Sequence, residues 1–176
     1  MENLPLQSVY QDFDRFLSAH RTVTLATLNA QGQADASYAP YIRQGEHIYI
    51  YISELAKHTA NLLHHPKLSL LFIEDESKAQ NIFARKRATL RGHATAIARE
   101  TEKWHQIMDL YGETLGETAQ NLRQLADFHL FEITIEQANF VRGFAQAYEL
   151  SGQDLRQVRH MNDRGHGQST RDTQPA

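Results

Sequence analysis

The 176-residue sequence predicts a mainly β fold with flanking helices, an antiparallel barrel with the helices packed outside. Three observations carry that expectation. The run Thr22-Val23-Thr24-Leu25-Ala26-Thr27-Leu28 is rich in β-branched residues, and Ala34 to Ala39 alternates small apolar with polar side chains before Pro40. Between them Asn29-Ala30-Gln31-Gly32 supplies a hairpin turn, with Gly32 able to take a positive φ. His47-Ile48-Tyr49-Ile50-Tyr51-Ile52 repeats with period two, and most later extended segments follow over hairpin-length connections.

Taken in order, residues 6–19 form an amphipathic helix, with Val9, Phe13, Phe16 and Leu17 on one face and Pro5 suited to its start. The hairpin follows, then a strand over 46–52. Ser53 reads as the N-cap of a helix over 54–65 that Pro66 stops. Strands are expected at 68–73 and, after the acidic Glu74-Asp75-Glu76, at 81–96. Trp104, Ile107, Met108 and Tyr111 make one helical stripe, and Leu115, Ala119 and Leu122 a second beyond Gly112. A strand over 128–135 ends in a turn at Gln137-Ala138-Asn139. The last strand, 140–150, sets Gly143, Ala145 and Ala147 at alternate positions, a flat face that a ligand can approach closely. Beyond Leu155 the composition turns polar and glycine-rich. Residues 1–155 therefore read as one domain and 156–176 as a flexible tail.

An apolar content of 41% with 22% charged residues is that of a soluble globular chain. A net charge of −3 exerts no global pull on nucleic acid or an anionic membrane. The longest apolar run, residues 70–73, is far too short to span a bilayer, and the first residues lack the layout of a signal peptide. The expected location is cytoplasmic. Cysteine is absent, which removes disulfides, iron–sulfur clusters and thiolate ligands, and leaves ten histidines as candidate nitrogen ligands. There is no phosphate loop, dinucleotide fingerprint, zinc-protease motif or nucleophile elbow.

Three places bear candidate chemistry. On an extended strand Arg85, Arg87 and Arg91 point the same way as His93, a row of guanidiniums suited to phosphate or carboxylate. The same row also reads as a solvated basic face paired with acids. Asp127 stands at a strand entrance, with His129 expected inward. His160 and His166, the latter between Gly165 and Gly167, lie in the polar tail.

Residues 20–41 resemble the opening hairpin of the FMN-binding split-barrel superfamily, whose best-known members are the pyridoxamine phosphate oxidases. Ile82-Phe83-Ala84-Arg85-Lys86-Arg87, Leu125-Ala126-Asp127-Phe128, the stretch from Phe140 through Gly143-Phe144-Ala145-Gln146-Ala147-Tyr148, and the histidine-containing tail resemble the haem-utilisation proteins of the HutZ and HugZ type. That resemblance implies a split β-barrel homodimer binding haem, not FMN, at its interface, and a haem-degrading oxygenase that releases iron. It implies an electron donor and a haem-delivery protein as partners. By position it makes His166 the iron ligand, with His160 as the alternative, and Asp127 the carboxylate that bonds this ligand across the interface. Arg87 falls beside the haem, while Trp104 and His58 also align with family positions. Arg85 or Arg91 would share the propionates with Arg87, and Gly143 and Ala145 would face the ring. The competing expectations are an FMN-dependent oxidase or reductase of this fold and a non-catalytic haem carrier.

Overall fold

A computed structural model describes residues 6–161 of the chain, with side chains from Gln7 onward. Helix α1 (Leu6–Ser18) leads to strands β1 (Thr22–Leu28), β2 (Ala34–Pro40), β3 (Ile42–Gln44) and β4 (His47–Ser53). Helix α2 (Lys57–His64) and β5 (Lys67–Ile73) precede two 3-10 turns, Glu76–Lys78 and Ile82–Ala84. Then come β6 (Arg87–Ile97), α3 (Glu102–Leu115), α4 (Glu117–Leu122), β7 (Phe128–Gly143), β8 (Gln146–Ser151) and β9 (Gln157–His160). The strands run antiparallel in the order β2-β1-β5-β6-β7-β4-β3, with β8 and β9 branching from β7.

Strand β7 organises this sheet. One edge pairs with β6 from Leu130 to Val141, while the other pairs first with β4 and then with β8. That change of partner splits the barrel. Inward side chains such as Leu25, Ile50, Leu70, Leu90, Phe131 and Phe140 form the main core with Phe13, Phe16 and Leu17 of α1. Strand β4 is buried on both faces: Ile48, Ile50 and Ile52 join that core, and Tyr49 and Tyr51 pack with Trp104, Ile107, Met108 and Tyr111. Burying a large apolar side chain is worth roughly 1.5–3 kcal/mol, so β4 ties the two clusters together. Asp12 fastens α1 to the sheet by ion pairs to Lys86 (2.9 Å) and Arg142 (2.7 Å).

Several expectations are corrected. The strand foreseen from residue 81 begins at Arg87, because the Asn81 side chain accepts from the Phe83 N–H and caps a 3-10 turn. Arg85 therefore leaves the row; its guanidinium is held by the Glu74 carbonyl and the Glu76 carboxylate (3.1 Å). Ser53 ends β4 instead of capping α2, which starts at Lys57 behind Ala56. The turn expected at 137–139 is a β-bulge: the register shifts between Arg91 and Gly92, and β7 runs on unbroken. Gly143 and Ala145 do not form a flat strand face. Gly143 ends β7, Ala145 takes φ +59° in the turn before β8, and Phe144 between them is exposed. His129 lies at the rim, bonded to Glu54 at 2.7 Å, and not in the core. The ordered sheet also passes residue 155, since β9 pairs with β8 through Gln157 to His160. His166 lies outside the described residues.

At the bulge, Gly92 permits a close approach. A Cβ there would stand 2.1 Å from the Thr134 carbonyl oxygen. Backbone on both sides cannot yield without breaking the β6–β7 ladder. Gly92→Ala is expected to lower the melting temperature by roughly 2–12 °C, from an overpacking cost of about 1–3 kcal/mol. Thermal unfolding followed by circular dichroism checks this, and an unchanged midpoint contradicts the close packing.

Candidate functional site

A cavity of about 560 Å3 opens between the β2–β4 side of the barrel and helices α2 to α4. Its walls are mostly apolar: Tyr38, Ala39, Pro40, Tyr51, Ile52, Tyr111, Leu115, Ala119, Leu122 and Phe128. This size and character fit a sizeable organic ligand, since such pockets span roughly 300–1,000 Å3. Burial raises the pKa of Tyr51 and pushes that of Tyr111 up to about 12, so both phenols stay protonated near neutrality.

Asp127 stands beside this cavity, between the two lining residues Ser53 and Phe128. Ser53 Oγ donates to its carboxylate at 2.8 Å and accepts the Leu55 N–H at 3.1 Å. The Glu54 N–H donates to the Asp127 carbonyl, also at 2.8 Å. Arg99 fixes the approach to Asp127 by donating to the carbonyls of Arg123 (2.6 Å) and Leu125 (2.9 Å) and to the Tyr51 hydroxyl (3.1 Å). The Arg99 and Arg123 guanidiniums lie 5.0 and 5.1 Å from the buried Trp104 ring. The carboxylate is thus held from its own side chain and from the backbone on both sides.

His58, the other polar group of note, reaches the cavity from α2. Its Nδ1 lies 2.8 Å from Ser37 Oγ. The rest of α2 is fastened by Asn61, which donates to Thr27 and Asp35 at 2.9 Å each, and by Thr59, which donates to the Ser53 carbonyl at 2.5 Å. Burial lowers the His58 pKa and keeps the imidazole neutral.

Among the described residues, Arg87 and Asp127 lie toward opposite ends of β7. Arg87 is half-buried on the outer sheet face opposite Ile73 and Val141, and its guanidinium donates to the Arg85 carbonyl at 3.1 Å. Val141 lies fourteen positions after Asp127, roughly 45 Å of strand. Arg91 is exposed on the same outer face. His160 sits in β9 with its ring edge-on to Tyr148 at 4.9 Å. The neighbouring Met161 donates its N–H to Ala147, one strand over from Val141. His166, five positions further on, lies outside the described residues. The site contacts of Ser53, Ser37 and Arg99 escaped the sequence analysis because their partners lie 21 to 74 positions away along the chain, beyond any local pattern.

The family model described as pyridoxamine 5'-phosphate oxidase matches residues 10–142. The chain is 41% identical over 155 residues to heme oxygenase HutZ of Vibrio cholerae, covering 88% of either protein. The solved structure of HutZ, described there as the heme storage protein of that organism, superposes with a TM-score of 0.72 at 37% identity, covering 76% of this chain and 94% of HutZ. Campylobacter jejuni ChuZ superposes with a TM-score of 0.81 at 36% identity, over 91% of this chain and 64% of ChuZ.

The buried neutral imidazole has a consequence for pH. A folded-state pKa below the unfolded value means that the unfolded chain takes up the proton first as pH falls. The stability from neutral His58 is complete above about pH 6.5 and is lost progressively below it. His58→Gln, which keeps a partner for Ser37, is expected to flatten the fall of melting temperature between pH 7 and pH 5. An acid limb as steep as the parent's would place the titrating group elsewhere.

Proposed function

The chain belongs to the pyridoxamine 5'-phosphate oxidase family, in the branch of HutZ, and we propose on that premise that it is a haem-degrading oxygenase. In this reading two copies bind haem between them. With oxygen and a reductant they open the porphyrin to a biliverdin-like product and release the iron. The observation that carries it is the apolar cavity with a rigidly held Asp127 at its edge, in a chain so similar to a haem oxygenase.

The chemistry of the residues fits. A porphyrin offers a broad apolar ring for the cavity walls and carboxylates for arginine. Haem supplies the redox chemistry, and the protein supplies position and proton control. His166 is the proposed iron ligand. His160 is engaged by its strand and by Tyr148, which favours His166 over it. A carboxylate on the far nitrogen of a ligand histidine fixes its tautomer and raises its basicity. Ser53 leaves Asp127 one oxygen for that role.

The placement of these residues along β7 supports a reading with two copies. In this reading Asp127 and Arg87 lie at opposite ends of β7, and each site takes Asp127 from one copy and His166 and Arg87 from the other. The outer sheet face suits such a pairing: Leu71, Ile73, Val141 and Ala147 are only half-buried there, and Tyr38 is exposed. Exposed Leu55 and Leu125 mark the Asp127 end, while Phe83 and Phe144 mark the Arg87 end. An antiparallel two-fold pairing brings unlike ends together and covers both.

Two other occupations fit the family. FMN would show flavin absorbance in the purified protein. A haem store would keep its Soret band when oxygen and a reductant are added, whereas an oxygenase loses it and releases iron.

His166→Ala is expected to shift the Soret band and abolish turnover, and His160→Ala to do neither. The reverse pattern would move the ligand to His160. Arg87→Ala should weaken haem retention or slow its turnover without unfolding the protein. Mixing is the decisive test of geometry. Asp127→Ala and His166→Ala chains, each inactive alone, should recover about a quarter of the parent activity when refolded together, since half the dimers are then mixed and each holds one complete site. Recovery of nothing would place both residues of a site in one chain.

A further inference from the structure

Among the residues lining the cavity, Arg21 alone carries a formal charge at neutral pH. His58 is neutral, and the others are apolar side chains, hydroxyls and phenols. The buried polar groups of the wall already have partners, His58 through Ser37 among them. Ser53 is bonded to Asp127, Tyr51 accepts from Arg99, and Tyr111 donates to the Pro40 carbonyl at 3.2 Å. The Arg21 guanidinium has no carboxylate and no hydrogen-bond acceptor among the described residues, and the residue is exposed at the cavity mouth.

Its backbone, by contrast, is tightly placed. The Arg21 carbonyl accepts the Tyr41 N–H at 3.3 Å. The Tyr41 hydroxyl reaches Leu17 (2.5 Å) and His20 (3.2 Å) on the preceding segment. Thr22, the next residue, pairs with Pro40, another lining residue. A fixed base with an unoccupied head over an apolar chamber is the arrangement that recognises a flat apolar molecule bearing an anion at its edge. The guanidinium fork suits a carboxylate, which it can bind through two parallel hydrogen bonds.

We infer that Arg21 is the carboxylate-reading residue of this cavity, and that it binds a propionate of haem. This rests on the haem reading above and adds a contact from the copy that supplies Asp127, independent of Arg87 from its partner. It also gives the site a basis for selecting among porphyrins by edge charge, since the apolar walls respond only to the ring.

The test compares ferric haem with its dimethyl ester, in which both propionates are neutral, by optical titration of the full-length protein. The parent protein is expected to prefer the free acid. Arg21→Gln should weaken haem binding about tenfold, leave the affinity for the ester unchanged, and so remove the preference. Arg21→Lys should recover part of it. The side chain has no partner to lose, so the melting temperature should match the parent's. If Arg21→Gln keeps the parent's preference, the carboxylate is read elsewhere and the inference fails, with haem binding intact. A parent protein that binds both forms equally refutes the inference in the same way. A parent protein that binds neither overturns the haem reading and this contact together.

Discussion

The structure depends above all on the hydrogen bonding of one strand. β7 is sixteen residues long, and three other strands are registered against it. A strand has two edges, so three partners fit only if one edge is divided, and that division separates β4 from β8. It also fixes where chemistry can lie. Asp127 precedes the first residue of β7, Val141 near its end stands opposite Arg87, and the interior of the sheet between them is packed core. In the proposed dimer a second copy turns these two ends toward each other.

Much of the fold was legible in the sequence because it is local. Helix α1, the β1–β2 hairpin, β4 and the α3 stripe each show their periodicity within a dozen residues. The hairpin carries its own turn chemistry, with the Asn29 side chain accepting the N–H groups of Gln31 and Gln33. The bulge in β7 was misread because Gln137-Ala138-Asn139 is turn-like in composition. What determines its structure is the cross-strand approach of Gly92, which lies 45 positions earlier. Arg85 was misplaced for a related reason: the turn capped by Asn81 delays the start of the strand by six residues.

The candidate site was legible in its members and not in its arrangement. Asp127 and Arg87 could be named from resemblance, whereas the groups that hold Asp127 come from β4 and from the end of β6. Helix α2 shows the same limit. Its inward face carries His58, Thr59 and Asn61, and their hydrogen bonds to Ser37, Ser53, Thr27 and Asp35 replace part of an apolar contact. Buried polar groups need partners with good geometry. The helix is therefore set in one position over the cavity, where a greasy face would allow it to slide.

Pairing β4 with β7 also governs how the chain is made. Ser53 meets Phe128, so β4 leaves the ribosome 75 residues ahead of the strand that covers its edge. Until then His-Ile-Tyr-Ile-Tyr-Ile-Ser is an uncharged, proline-free segment of high β-propensity, the composition that drives cross-β association. With amino acids joined at about 5–20 per second, that interval lasts several seconds. Nascent chains on neighbouring ribosomes are exposed to one another for that time, and the edge that β7 will cover stays open even though β3 already pairs with the other edge and α1 and the β1–β2 hairpin are made earlier still.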